Sequence, residues 1–209
     1  MAAAYTLYGS FLSAPTYKVG LMLSLCGLSF DYRHVDLAKG EHKTPEFLEL
    51  NRYGQVPVLR HGEYTLCQSN SILEYLSEQT GKFGGATVLE RQNIREWLFW
   101  ESDRLEPWFN RTRFFERFAK NDPAVMEYCR NIAEIGLGVL NTLLDGKRFL
   151  VGERPTFADI ALFGVVVHMA EAKFDPAHWP HTRAWWERMM ALPGFQLPYD
   201  LLPKADRNA

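Results

Sequence analysis

Apolar and polar positions change rhythm along this chain, and the change divides it in two. Residues 5–10 (Tyr-Thr-Leu-Tyr-Gly-Ser) alternate with the period of a short strand and stop at a turn signal. From Pro15 to Cys26 the spacing of Val19, Met22, Leu23 and Cys26 is helical, and Gly27 marks the end. Phe30 to Leu37 reads as a second strand and Pro45 to Leu50 as a short helix. Residues 57–60 and 64–67 form a hairpin around His61-Gly62-Glu63, and a helix runs from about Asn70 to Gln79. The order β-α-β-α-β-β-α joins the first two strands by a helical crossover, which predicts a parallel pair. Gly81 to Gly85 holds three glycines and reads as the linker. Beyond it every long segment is helical, over 88–119, 123–145, 156–172 and 180–191. The expectation is an α/β domain over 1–80, a linker over 81–88 and an all-helical domain over 89–209, without repeats.

One stretch departs from ordinary strand and helix chemistry. Asn51-Arg52-Tyr53-Gly54-Gln55-Val56-Pro57 puts a proline where an apolar strand begins, and Gln68-Ser69 opens the following helix. Proline is confined in sheets to edges, first residues and bulges, so Pro57 suggests backbone groups kept for something outside the chain. The helix start at Ser69 offers N–H groups and a positive dipole end, which suits a carboxylate. Together they predict a cradle for a small peptide-like anion. Thr156-Phe157-Ala158-Asp159 has a different character: it is a capping pattern that sets where a buried helix begins. Trp97, Trp100, Glu101, Arg104 and Trp108 share one helical stripe, expected to be core or interface, with Trp108, Phe109, Phe114 and Phe115 at the end nearest a cleft.

Composition narrows the class only slightly. The 209 residues allow a substantial core, and 47% hydrophobic with 23% charged residues is ordinary for a globular chain. A net charge of −2 argues against nucleic-acid or membrane partners held by general basicity. Cys26, Cys67 and Cys129 lie far apart, with neither a disulfide framework nor metal-ligand spacing, so no metal is expected. Met1-Ala2-Ala3-Ala4 has no basic or apolar leader pattern, and the run Ile160 to Val167 is too short to span a bilayer; the cytoplasm is the expected compartment.

Gly40-Glu41-His42-Lys43, then Gly54-Gln55-Val56-Pro57, then Gln68-Ser69, follow one another in an order and spacing similar to the phi class of glutathione transferases. Tyr8-Gly9-Ser10-Phe11-Leu12-Ser13 to Lys18-Val19 fits the same register, as does the Thr156/Asp159 cap. Over nearly its whole length the chain resembles a bacterial member of the cytosolic glutathione transferase family, closest in motif to the phi/theta-like serine type with some nu-like features. The resemblance implies an α/β thioredoxin-like N-terminal domain followed by an all-α helical C-terminal domain. It also implies a homodimer with glutathione as co-substrate.

By that resemblance Val56, before a cis Pro57, presents its main chain to the cysteinyl part of glutathione. Gln68 and Ser69 hold the γ-glutamyl end, His42 and Lys43 face the glycine carboxylate, and Gln55 lies between. The implied chemistry needs a thiolate, and a thiol of pKa about 8.5 is only a few per cent ionised at pH 7. Lowering it by about two units takes roughly 2.7 kcal/mol. One hydrogen bond to a charged group supplies about 1.5–3 kcal/mol, and a helix N-terminus adds about 0.3–1 kcal/mol. A single hydroxyl at the head of the first helix is therefore enough. Ser13 is the candidate, an N-cap that can still donate its proton to sulfur. Ser10 and Tyr8 are its rivals, while Cys26 lies on an apolar face where thiols are usually inert. A small electrophile would rest on Phe11, Leu12, Trp108, Phe109 and Phe115.

Two positions depart from the pattern. The phi class usually has an acid where Gln68 stands, so Asp103 of a second copy is a candidate partner for the glutathione ammonium. Nu-like enzymes have threonine at Ser13 and asparagine at Pro15, and Pro15 can donate nothing to sulfur. Thiolate addition is therefore favoured over glutathione-dependent disulfide or peroxide reduction. A non-catalytic binding or assembly module would have no need of the full set His42, Lys43, Gln55, Pro57 and Ser69.

Overall fold

The computed structural model describes residues 4–208, so the reading of Met1-Ala2-Ala3 as lacking a leader falls outside the described residues. Two compact units divide the chain between Lys82 and Phe83 and again between Ala191 and Leu192. The first contains β1 (Tyr5–Gly9), α1 (Ala14–Cys26), β2 (Phe30–His34), α2 (Pro45–Leu50), β3 (Val58–His61), β4 (Tyr64–Cys67) and α3 (Ser69–Thr80). Its sheet has the order β2-β1-β3-β4. β1 and β2 are parallel, with Gly9 opposite His34, as the crossover predicts. β3 is antiparallel to β1 with Val58 opposite Tyr8, and β4 is antiparallel to β3 with Cys67 opposite Val58.

Local chemistry places these elements. Ser13 caps α1 by accepting the Thr16 N–H, and Pro15 sits in the first turn. Gly27 ends the helix at φ 73°, where the Leu28 N–H reaches back to the Leu23 carbonyl at 2.9 Å. Tyr17, Val19, Leu21, Met22 and Leu23 are fully buried, so α1 is a core helix. β2 stops at His34, short of the expected Leu37. The Asp36 carboxylate accepts the N–H groups of Ala38 and Lys39 at 3.0 and 3.2 Å, and that turn ends the strand.

The second unit contains α4 (Val88–Trp100), α5 (Glu106–Arg117), α6 (Pro123–Leu143), α7 (Phe157–Val166) and α8 (Pro180–Met190). The periodicity predicts one helix over 88–119, but a π-helical turn at Glu101–Leu105 separates α4 from α5. The reason is Pro107, which has no N–H to give the Asp103 carbonyl four residues before it. The indole N–H of Trp108 donates to that carbonyl instead, at 3.2 Å. α6 passes close by: a Cβ on Gly136 would lie 3.2 Å from the Arg104 carbonyl. The helix expected over 156–172 leaves regular α geometry after Val166 and continues as turns to Lys173, which has φ 56°.

Asp159 is the polar centre of this unit and is fully buried. One carboxylate oxygen accepts the Leu150 N–H and the Trp185 indole N–H, each at 2.9 Å. The other accepts the Thr156 N–H at 2.8 Å and the Thr156 hydroxyl at 3.1 Å. The capping box therefore ties the preceding loop and α8 to the start of α7. Burial pushes the Asp159 carboxyl up, against four donors that pull it down.

Residues 192–208 return to the first unit, which the helical pattern of the second half does not signal. α9 (Pro198–Leu201) and the following Leu202 pack on α1 at Gly20, where an added Cβ would lie 3.2 Å from Leu201 and 3.3 Å from Leu202. Arg207 then pairs with Tyr32 in both directions, N–H to carbonyl at 2.9 and 2.7 Å, along the outer edge of β2. An open strand edge is closed in this way.

Asp159→Asn keeps the shape but cannot accept all four bonds. It should lower the unfolding free energy by about 2–3 kcal/mol, read as an earlier urea midpoint at unchanged slope.

Candidate active site

The sheet register decides where chemistry can gather. β1 ends at Gly9, β3 begins at Val58 opposite Tyr8, and β4 ends at Cys67 opposite Val58. Ser10–Ser13, Val56-Pro57 and Gln68-Ser69 all follow or precede those residues, so they share one end of the sheet. That end is also the carboxyl end of the parallel β1–β2 pair, where open α/β sheets place their ligand sites. Beneath it lies an apolar cluster of Val35, Phe47 and Val58, flanked by Tyr8, Leu50, Val56 and Cys67.

Of the three hydroxyl candidates, Ser13 is half-buried at the head of α1. Its oxygen accepts the Thr16 N–H at 3.2 Å, which leaves the hydroxyl proton to donate. Ser10 is 2% exposed and accepts the Leu12 N–H at 3.4 Å, an inward arrangement. Tyr8 packs on the apolar cluster.

The loop before β3 is built by a residue to which sequence analysis gives no role. Asn51, 2% exposed, accepts the Tyr53 N–H at 3.0 Å and donates to the Gln55 carbonyl at 2.6 Å. The Asn-to-Gly spacing of a turn is its sequence signal, since Gly54 N–H also returns to the Asn51 carbonyl at 2.8 Å. The Val56-Pro57 bond is cis. Among the described residues, the Val56 main chain makes no hydrogen bond.

Lys43 and His42 border the same loop. Lys43 Nζ donates to the Gly54 carbonyl at 2.8 Å. Gly54 has φ 56°, and a Cβ there would lie 2.9 Å from Lys43 Nζ and 3.1 Å from the His42 carbonyl, so glycine is required. His42 Nδ1 is buried with no hydrogen-bond partner among the described residues. Burial, and then the nearby Lys43 charge, hold the His42 pKa below 6.5. Lys43 is therefore the formal cation of this pair at neutral pH.

Gln68 has φ 68° and ψ 111°, a conformation outside the small left-handed region open to side chains, and it supplies no side-chain cap to α3. Its amide donates to the Gln55 side-chain oxygen at 3.5 Å, which brings those two candidates together. Such backbone costs of order 1–3 kcal/mol and persists where the surroundings impose it. Ser69, Asn70 and Ser71 follow as the first turn of α3, at the positive end of its dipole.

The apolar candidates are placed unequally. Phe11 and Leu12 are half-buried in the turn that leads to Ser13. In the helical unit, Phe115 lines a cavity of about 300 Å³ with Thr112, Glu116, Pro123, Met126 and Arg130. Glu116 is held down to about 2, first by the Lys173 ammonium 2.7 Å away and then by Lys120 and Arg130. Trp108 is half-buried and meets Tyr128 edge-on at 5.7 Å. Phe109 is 0% exposed against Phe174, a core position rather than a surface for a substrate. Asp103 is exposed and pairs with its neighbour Arg104 at 2.7 Å. Among the described residues no group of three or more His, Cys, Asp or Glu is arranged to hold a metal ion. Among the described residues no helix is long and apolar enough to cross a membrane.

A four-stranded thioredoxin-like sheet with a cis proline at one end, followed by a helical unit, defines the class of fold. Family models place the chain within it. The glutathione S-transferase N-terminal domain matches residues 3–78 and the C-terminal domain matches residues 106–193. Glutathione S-transferase 3 of Zea mays is 31% identical over 216 aligned positions, covering 96% of both chains. The disulfide-bond oxidoreductase YfcG of Escherichia coli is 32% identical, covering 86% of this chain and 89% of that protein. Among solved structures, the glutathione transferase URE2P6 from Phanerochaete chrysosporium, in complex with oxidized glutathione, is 26% identical with a TM-score of 0.87, covering 95% of this chain and 96% of the other. The chain belongs to the glutathione S-transferase family.

Two outcomes test the geometry without any ligand. Gln68→Gly should raise the unfolding free energy by about 1 kcal/mol, because strain is relieved where the added chain entropy costs less. His42 is held neutral by the fold, so its contribution is present above its unfolded pKa and is lost as pH falls through the lower folded value. Between about pH 7 and about pH 5, therefore, the parent protein should lose more stability than His42→Gln.

Proposed function

We propose that this chain is an enzyme that binds glutathione at the β1/β3/β4 end of its sheet, ionises the thiol beside Ser13 and adds it to an electrophilic, mostly apolar substrate. The observation that carries this reading is the main chain at Val56. It lies next to a cis proline, makes no hydrogen bond among the described residues, and shares its rim with the Ser13 hydroxyl and the α3 N-terminus. A cysteinyl residue laid along Val56 would gain two strand-like hydrogen bonds and bring its sulfur toward the head of α1. Ser69 and the N–H groups of α3 then receive the γ-glutamyl carboxylate. Lys43, with neutral His42 beside it, faces the glycine carboxylate, and Gln55 and Gln68 bridge the two ends.

Ser13 acts by donating its hydroxyl proton as a hydrogen bond to the thiolate, while the thiol proton leaves to solvent. The sulfur pair then forms a bond to the electrophilic carbon. Electrons displaced there depart with a leaving group, or take up a proton where the substrate is an activated double bond. Phe11 and Leu12 are the proposed apolar contacts for that substrate. A homodimer is proposed from the family and from the exposed Val88, Leu89 and Phe99 of α4, which are 75%, 69% and 76% accessible. Asp103 of the second copy is the proposed partner for the glutathione ammonium. The cytoplasm is the proposed compartment.

Glutathione-dependent disulfide reduction at the same site is the second reading, supported by the similarity to YfcG. It is disfavoured by Pro15, which cannot offer an N–H to a sulfur.

Ultraviolet absorbance of bound thiolate, titrated against pH, separates these roles from simple binding. The parent protein should bring the bound thiol well below the free value of about 8.5. Ser13→Ala should return it toward that value and lower the rate of conjugation to an activated aryl halide about 100-fold, with glutathione affinity little changed. Full activity in Ser13→Ala would remove Ser13 from this role. A protein that neither binds glutathione nor lowers its thiol pKa would end the enzyme reading.

A further inference from the structure

The chain that follows the helical unit makes contacts that converge on one small turn. Phe11 lies two residues before Ser13, and its ring meets side chains from β2 and from the returning segment. Tyr199 meets it edge-on at 6.2 Å, the Lys204 ammonium lies over it at 5.3 Å, and His34 tilts against it at 5.5 Å. His34 is itself held by the same segment, because its N–H donates to the Asp206 carboxylate at 2.8 Å. Arg207 pairs with Tyr32, whose hydroxyl donates to the Gly9 carbonyl at 3.0 Å. The turn from Gly9 to Ser13 is therefore gripped at its first residue through Tyr32 and at its middle through Phe11. Within the turn itself, Ser13 N–H returns to the Ser10 carbonyl at 3.0 Å, and Leu12 N–H donates to the Ser10 hydroxyl oxygen at 3.4 Å.

We propose that the segment from Tyr199 to Arg207 positions the Phe11–Ser13 turn, and with it the Ser13 hydroxyl, for thiolate formation. Tyr199, Asp206 and Arg207 are positioning residues: they need touch neither glutathione nor its sulfur. This rests on the assignment of Ser13 above. A hydroxyl that stabilises an anion through one hydrogen bond is sensitive to small displacement, and a shift of about 1 Å in such a group can cost about 100-fold in rate. The groups that would hold the two carboxylates, Lys43 and the α3 N-terminus, are attached to other parts of the unit. Loss of the grip should therefore affect the thiol and spare the binding.

The double variant Tyr199→Ala with Asp206→Ala tests this, because charge and position act in opposite directions. Removing the Asp206 carboxylate near the turn would by charge alone make thiolate formation easier. Loss of position makes it harder. The expected result is a bound-thiol pKa raised by about one unit, a roughly tenfold loss of thiolate below that pKa, with the glutathione dissociation constant within about twofold of the parent. Tyr199→Phe with Asp206→Asn keeps the ring and an acceptor oxygen while removing the same charge, and should bring the pKa back to the parent value or slightly below it. An unchanged or lowered pKa in the alanine variant overturns the proposal, as does an equal rise in the conservative variant. Ser13→Ala, measured in parallel, separates the two readings. If it raises the thiol pKa and the tail variant does not, the positioning role fails alone. If it leaves the pKa unchanged, the Ser13 assignment fails, and this proposal with it.

Discussion

Tyr8 lies opposite Val58 where β1 and β3 run antiparallel, and that pairing governs the rest of the N-terminal unit. A slip of one residue would turn every side chain of β3 to the other face of the sheet and take Val58 out of its cluster with Val35 and Phe47. The register also sets which loops meet. Because β1 ends where β3 starts and β4 stops, three segments that are separate in sequence emerge side by side. Each then carries a local feature that a plain connection would avoid: a cis bond before Pro57, a positive φ at Gln68, and a serine at the mouth of α1.

The helical unit answers a different problem, that of satisfying polar groups in a dry interior. Asp159 spends four acceptor sites on three segments, and no cation stands among those four donors. At Pro107 the chain has the reverse difficulty, a carbonyl deprived of its usual N–H. The Trp108 indole meets that need from one residue further along. Both solutions use a side chain to replace a backbone bond that the local geometry forbids.

What could be read from sequence was mostly what a residue does to its immediate neighbours. Ser13 before Ala14-Pro15, Gly27 after Cys26 and Thr156 before Asp159 act within four residues, and the structure has each where the pattern places it. The same holds for the hairpin around Gly62 and for the parallel first pair, which follow from turn chemistry and crossover length. Features that depend on distant partners were not legible. Nothing in Gln68 itself announces a positive φ, and nothing in Arg207 announces Tyr32. Phe109 adjoins Trp108, so the two point in different directions from α5, and which of them is covered depends on Phe174 and Tyr128 in other segments. Pro107 was visible in the sequence. Its consequence, a π-helical turn rather than a simple kink, is not announced by any neighbouring residue.

The bridge between Tyr32 and Arg207 has a consequence for the order in which this protein can form. A nascent chain grows at roughly 5–20 residues per second, and its N-terminal domains ordinarily fold first. Here the His34 N–H must wait for Asp206, 172 residues further along. For that interval, on the order of ten to thirty seconds at those speeds, the outer edge of β2 has no strand-side partner and is open to pairing with another chain. The unit that leaves the ribosome first is thus the one completed last, and the helical unit is made entirely within the wait.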